Sequence, residues 1–198
     1  MIEGAPELEA LLLDAGNTVV FLDMDAVAAV ARAEGVEVEA AQLLAVEGAA
    51  KRHYEAILAA GAPHETGWRL YLTTLLCEAG VPRDAAASLV DPLRAAHDEL
   101  NLWRRVPPEL PAALDDARAL GLRVAIVSNS EGRLPELFAH VGLGDAFELV
   151  VDSAHEGCAS RTRRSSVARS SACAWRRLAR STRATSRAST STGRTRPA

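Results

Sequence analysis

Residues 8–22 read LEALLLDAGNTVVFL, and the fold turns on how this stretch is read. Leu11, Leu12 and Leu13 form an unbroken apolar run that stops on Asp14. Continuous rather than alternating apolar runs belong to strands covered on both faces, as in parallel sheets flanked by helices. The polar turn Asp14-Ala15-Gly16-Asn17-Thr18 follows, and residues 18–22 resume as a second short extended piece. Ligands of open α/β sheets bind outside the carboxyl ends of the strands. A carboxylate at the lip of such a strand is therefore a candidate functional group.

Outward from this stretch the grammar changes twice. From residue 24 to about 105 the chain reads as helix, with Leu and Ala at spacings of three and four in DAVAAVARAEG, AAQLLAVEGAAKRHYEAILAAG, GWRLYLTTLLCEAG and RDAAASLVDPLRAAHDEL. Gly35, Gly61 and Gly80 follow the last periodic residue of their runs, where a left-handed residue ends a helix. Pro63, Pro82 and Pro92 mark breaks or kinks. The expectation is a bundle of about four antiparallel helices. From Pro107 helices and strands alternate. Pro108–Leu120 is an amphipathic helix, LRVAIV a β-branched strand running into Ser128-Asn129-Ser130, Leu134–Val141 a second helix, and AFELVVDS another strand. Strands alternating with helices imply right-handed βαβ units and a parallel sheet. The fold class is α/β: a Rossmann-like parallel sheet formed by residues 1–22 plus 106–157, interrupted after its first strand by a helical bundle, 23–105.

The formal charge of −4 conceals two different compositions. Residues 1–157 hold all 26 acids and 11 of the 22 bases, whereas residues 158–198 hold 11 arginines, no acid and no lysine. No run of about 18 apolar residues exists, so no membrane span is expected. The acidic MIEGAPELEA start is unlike a signal peptide. Cys77, Cys158 and Cys173 fit neither a zinc site nor a disulfide framework and read as free thiols of a cytoplasmic protein.

Two turns carry the candidate chemistry. Asp14 suits a nucleophile, since an aspartate can attack phosphorus and divide hydrolysis into two easier steps. It equally suits a ligand of Mg²⁺, which takes hard oxygen donors and leaves positions open for substrate phosphate. The plain structural alternative is an Asx-type turn before Gly16. Ser128 and Asn129 end a strand before a helix, where a hydroxyl and backbone N–H groups can cradle phosphate. The alternative is that Ser128 or Ser130 caps that helix.

Taken together, the pattern of an apolar strand ending in D-x-G-N-T, a helical insertion, a second strand ending in S-N-S and a third ending in V-D-S resembles the haloacid dehalogenase-like (HAD) hydrolase superfamily over residues 8–157. The resemblance implies a Mg²⁺-dependent hydrolase acting on a small phosphorylated or related substrate. It makes Asp14 the nucleophile and, with the Gly16 backbone carbonyl, a metal ligand. Asn17 and Thr18 belong to the same loop, which the threonine supports, and Ser128 with Asn129 binds phosphate. The bundle 23–105 resembles the mobile cap that closes over substrate and excludes water.

Two departures qualify the activity. Most phosphatases of the family carry a second aspartate two residues after the nucleophile as general acid/base, and here that position is Gly16. Dehalogenase- and phosphonatase-like members lack this acid, so the substrate class is open. His53 and His64 are weak candidates for a replacement proton donor. The family also places a lysine after the third strand and an acidic pair after a later one. The one lysine of this chain is Lys51, inside the bundle, and no acid follows Glu156.

Residues 158–198 have no helical or strand period, and 15 of these 41 residues are Ser or Thr. One reading is a disordered basic tail that binds nucleic acid or another acidic surface; aromatic interleaving is limited to Trp175, so base stacking is unsupported. Otherwise no nucleic-acid partner is expected. The favoured reading is translation out of frame. Written in GC-rich codons with suitably chosen third bases, and read one base early, Cys158–Ser166 becomes Val-Arg-Lys-Pro-Asp-Pro-Ala-Ile-Phe. That sequence resembles the family's lysine motif. Further on, Ala184-Thr185-Ser186 can yield Gly-Asp-Leu and Thr190 can yield Asp, the shape of the acidic motif.

Overall fold

The computed structural model describes residues 8–60, 67–128 and 130–152. Of these, 8–21 and 106–152 fall in one compact unit and Leu22–Arg105 in a second. The expectation for residues 158–198 lies outside the described residues.

The first unit holds the parallel sheet. Its strands are β1 (Ala10–Leu13), β4 (Arg123–Ser128) and β5 (Leu149–Asp152), in the order β1-β4-β5. Ala10 to Leu13 pair in parallel with Arg123 to Ile126, and Ala125 to Ser128 pair in parallel with Leu149 to Asp152. β4 is the middle strand, and Val124, Ala125 and Ile126 are buried, as the β-branched run LRVAIV demands. The connecting helices are α6 (Leu110–Ala119), packed on β4, and α7 (Leu134–His140), packed on β5. α6 buries Leu114 and Ala117, and α7 buries Leu134, Leu137 and Phe138. At the amino ends of the strands the Arg123 guanidinium meets the Glu148 carboxylate through two bonds, Nε to Oε2 at 2.7 Å and Nη2 to Oε1. This fork-to-fork pair couples β4 to the start of β5.

The second unit is helical: α1 (Met24–Ala33), α2 (Ala40–Ala59), α3 (Gly67–Glu78), α4 (Arg83–Ser88) and α5 (Val90–Glu99). Its core is aliphatic, with Leu43, Leu72, Leu75, Leu76, Leu89, Leu93 and Leu102 among the fully buried residues. Gly35 and Gly80 end their helices at φ +76° and +94°, which side chains resist; Gly61 lies outside the described residues. Two details depart from the sequence reading. The break or kink expected at Pro92 falls three residues earlier, at Leu89, giving five described helices rather than about four. Pro92 supplies the reason: it has no N–H for the carbonyl four residues back, at Ser88, and its ring crowds that carbonyl. The helical reading also ends early, because Trp103–Arg105 form a strand, β3, that pairs with β2 (Phe21–Leu22).

Asp23 sits where the chain enters the helical unit. One carboxylate oxygen caps α1 by accepting the Ala26 N–H at 3.1 Å, and the other accepts Nε of Arg104 at 2.8 Å. The Asp23 N–H donates to the Leu102 carbonyl at 2.8 Å, so one residue joins both ends of the unit. Burial pushes the Asp23 carboxyl up, but the Arg104 hydrogen bond, the Ala26 N–H and the Arg104 charge outweigh it and hold the carboxyl below its usual range.

A carboxyl whose folded value is depressed adds stability above its unfolded pKa of about 3.9 and loses it as pH falls through the lower folded value. Asp23→Ala is expected to destabilise the chain by about 1–2 kcal/mol at pH 7. In urea unfolding, the difference from wild type should shrink below about pH 4. A difference independent of pH would show that the charge of Asp23 is not what matters.

Candidate active site

Asp14 follows the last residue of β1, Ser128 is the last residue of β4 and Asp152 the last of β5. Leu13 pairs with Ile126 and Ser128 with Asp152, so the ladder brings all three to the carboxyl edge of one sheet.

The loop after β1 is built around one carbonyl. Ala15 O accepts the N–H groups of Thr18, Val19 and Val20 at 3.3, 2.9 and 3.0 Å, and the Asn17 N–H donates to Val20 O at 2.8 Å. Gly16 and Val20 thereby form an isolated parallel bridge. Ala15, Val19 and Val20 are buried and hold the base of the loop, while Asp14, Asn17 and Thr18 are exposed. Asn17 takes φ +59°, a left-handed conformation that Asn tolerates better than most side chains.

Asp14 Oδ1 accepts the N–H of Ala15 at 2.8 Å, whereas an Asx turn would use the N–H two residues on. Oδ2 has no hydrogen-bond partner among the described residues. The Gly16 carbonyl likewise accepts no hydrogen bond among the described residues. A Cβ built on Gly16 would meet no atom within 4 Å, so the missing carboxylate at this position reflects the sequence and not a lack of room. The Thr18 side chain makes no hydrogen bond among the described residues; its backbone N–H is what joins the turn.

Ser128 is 6% exposed, and its hydroxyl has no partner among the described residues. It does not cap α7, and neither does Ser130: that helix starts at Leu134 behind Arg133, with no side-chain cap. Asn129 lies outside the described residues. Asp152 is absent from the sequence-derived site, although it is 3% exposed and its Oδ2 accepts the Gly132 N–H at 2.9 Å. Its signal was the one that marked Asp14: an apolar run, here Leu149–Val151, ending on an acid.

His53 and Lys51 belong to the helical unit. His53 Nδ1 lies 3.0 Å from Glu78 Oε1, and Lys51 Nζ lies 2.7 Å from Glu47 Oε1. His64 lies outside the described residues. Among the described residues no three His, Cys, Asp or Glu side chains cluster as a metal site, and no helix is long and apolar enough to cross a membrane.

The model of the haloacid dehalogenase-like hydrolases matches residues 8–167. Among solved structures the chain is similar to the HAD-hydrolase YfnB from Bacillus subtilis bound to magnesium, at 19% identity and TM-score 0.50, over 77% of this chain and 66% of that one. It is also similar to L-2-haloacid dehalogenase from Xanthobacter autotrophicus with chloropropionic acid covalently bound, at 20% identity and TM-score 0.42, over 76% and 58%. A predicted phosphoglycolate phosphatase from Haemophilus somnus 129pt aligns at 14% identity and TM-score 0.44, over 80% and 67%. The chain thus spans less than two thirds of the length of the first two. No curated protein matches it.

The strained position at Asn17 is a local test of this loop. Asn17→Gly is expected to be neutral within about 0.5 kcal/mol, and Asn17→Val to cost about 1–2 kcal/mol by thermal unfolding. Equal stability of the two variants would exclude the left-handed turn.

Proposed function

The chain belongs to the haloacid dehalogenase-like hydrolase family, and from that premise we propose an aspartate-nucleophile hydrolase that acts with Mg²⁺ on a small phosphate ester or related substrate in the cytoplasm. The observation that carries this reading is the pairing of an exposed Asp14 and a buried Ser128 at the same sheet edge, with Oδ2 of the one and the hydroxyl of the other free of partners among the described residues.

In this reading Asp14 Oδ2 attacks phosphorus while Oδ1 stays fixed on the Ala15 N–H. The ester oxygen leaves, and water then cleaves the aspartyl phosphate. Ser128 donates its hydroxyl to a phosphoryl oxygen. The residues present suit Mg²⁺: the Asp14 carboxylate and the Gly16 carbonyl are both hard oxygen donors, and beyond the Ala15 N–H held by Oδ1 they accept no hydrogen bond among the described residues; Mg²⁺ commonly keeps several waters beside one or two carboxylates. When bound, the ion would offset charge building on the phosphoryl oxygens. The helical unit, as a cap, would close over the substrate and exclude water.

Gly16 favours a second reading within the same family. An alkoxide leaving group needs a proton, and no acid stands at position 16 to give one. A halide, or a carbon leaving group stabilised by the substrate, has no such need, which supports a dehalogenase- or phosphonatase-like member. Asp14→Asn is expected to lower turnover on the order of 10³-fold or more under either reading. Gly16→Asp separates them: it should accelerate hydrolysis of alkyl phosphates by about 10²–10⁴-fold if the parent activity is a phosphatase. It should leave halide release from a 2-haloacid no faster. Turnover unaffected by Asp14→Asn would sink both.

The charge-balancing lysine and the acidic pair remain missing in the written register, so activity of this chain is expected to be impaired. We read residues 158–198 as an out-of-frame translation, on the ground that the shifted register turns Cys158–Ser166 into the lysine motif. Sequencing the gene from codon 150 onward should reveal an open neighbouring register that encodes Val-Arg-Lys-Pro-Asp-Pro opposite Cys158–Arg163. A neighbouring register closed by stops, or encoding neither motif, would return the tail to a basic binding segment.

A further inference from the structure

We propose that Asp152 is a positioning residue for the phosphate-binding turn: its buried carboxylate latches Gly132 and thereby fixes the loop that follows Ser128. This rests on the reading of Ser128 given above. Ser128 and Asp152 are register partners on adjacent strands, 6% and 3% exposed. β4 ends at Ser128, and the N–H of Gly132, four positions further along the chain, lies 2.9 Å from Asp152 Oδ2. Gly132 does so at φ +90°, a conformation that L side chains rarely adopt.

The chemistry suits a latch. A carboxylate withdrawn from water is costly unless hydrogen-bonded, and a backbone N–H donating to an ionised acceptor makes one of the stronger neutral-donor bonds. The β4 ladder fixes one end of the turn at Ser128, and Asp152 fixes the other at Gly132. Asp152 holds the Gly132 N–H, so its part in binding is exerted through this turn. An uncharged acceptor at 152 would hold the same N–H and place no negative charge near an incoming phosphate. The amide of asparagine can therefore replace the carboxylate, and a methyl group cannot.

The test uses the full chain, inorganic phosphate in Mg²⁺ buffer as the probe, and calorimetric titration beside thermal unfolding. Asp152→Ala is expected to weaken phosphate binding about tenfold or more, in the range seen when residues that orient a ligand-binding group are removed. Asp152→Asn should bind within about twofold of wild type. Because a purely structural role would lower melting temperature and leave the affinity of the folded fraction alone, Asp152→Ala with unchanged affinity overturns the proposal. If Asp152→Ala does not fold, the Asp152→Asn affinity and hydrogen exchange of the wild-type Gly132 amide decide: loss of binding in Asp152→Asn, or an unprotected amide, overturns it. A wild-type chain that binds no phosphate while Gly132 stays protected instead defeats the reading of Ser128, and the functional half of the proposal falls with it.

Discussion

The parallel register of β4 between β1 and β5 is the constraint on which the rest depends. Side chains alternate along a strand with a period of two, so a slip of one residue would send every side chain of β4 to the opposite face. Ser128 would then leave the face it shares with Asp152, and Ile126 would leave the core. Several interactions fix this register independently. The Arg123 N–H donates to Glu9 O at 3.1 Å, just before β1 begins, and the Glu148 N–H donates to Val124 O at 2.9 Å, just before β5 begins. The Arg123–Glu148 pair adds a charged clamp at the same amino end, where the Glu148 hydrogen bond holds the guanidinium well protonated and the Arg123 hydrogen bond keeps the carboxyl low. The strands are thus aligned at one end by ladder and charge, and the candidate site inherits that alignment at the other.

Once the register is set, the loop after β1 sorts groups by where their hydrogen bonds go. The Ala15 carbonyl absorbs three N–H groups, which uses up donors that would otherwise need solvent. The neighbouring Gly16 carbonyl is left without a partner among the described residues, as is Oδ2 of Asp14. Buried Ala15, Val19 and Val20 anchor the turn from below. The result is two hard oxygens two residues apart on a loop whose base is held in the core. A pair of uncommitted oxygens on a pinned loop is better arranged to meet a cation or an electrophile than the same groups on a mobile one, since less ordering remains to be done on binding.

Much of this was legible in the sequence, for reasons that mark where sequence reading stops. The strands β1 and β4 were readable because a parallel strand covered by helices is one apolar run. Asp14 and Ser128 were readable because each ends such a run at a polar turn. The break at Leu89 was not placed, since Pro92 acts on a carbonyl four residues upstream of itself. β3 was absorbed into the helical reading because three residues carry no period, and its strand character comes from pairing with β2 rather than from Trp103–Arg105 alone. Asp152 ends an apolar run as Asp14 does, but an acid followed by Ser153 looks like loop, and only the Gly132 N–H gives it a task. Neither the latch nor the three bonds on Ala15 leaves a trace in composition, because the donors in both are backbone N–H groups.

The sheet itself bears on how residues 158–198 are to be read. Among the described residues β1 pairs only with β4, and Ala10–Leu13 are all partly exposed, an apolar run standing at an edge. Natural edges are blunted with charge, proline or cover, and β1 has none of these devices within Ala10–Leu13. On one face Val127 and Val151, with Leu12 and Leu149, form a cluster that includes no residue of α6 or α7. A parallel sheet of this kind calls for a further strand and for helices on its second face. The written register of 158–198 offers 11 arginines, with Val167, Trp175 and Leu178 as its large apolar residues besides two cysteines. In the shifted register every serine written with a TC codon becomes Phe, Leu, Ile or Val, and every threonine becomes Asp, Asn, His or Tyr, whatever third bases are chosen. The apolar material that an edge strand such as β1 requires is thus what the shift would supply. This correspondence of composition stands apart from the match to the lysine motif and supports the same reading of the tail.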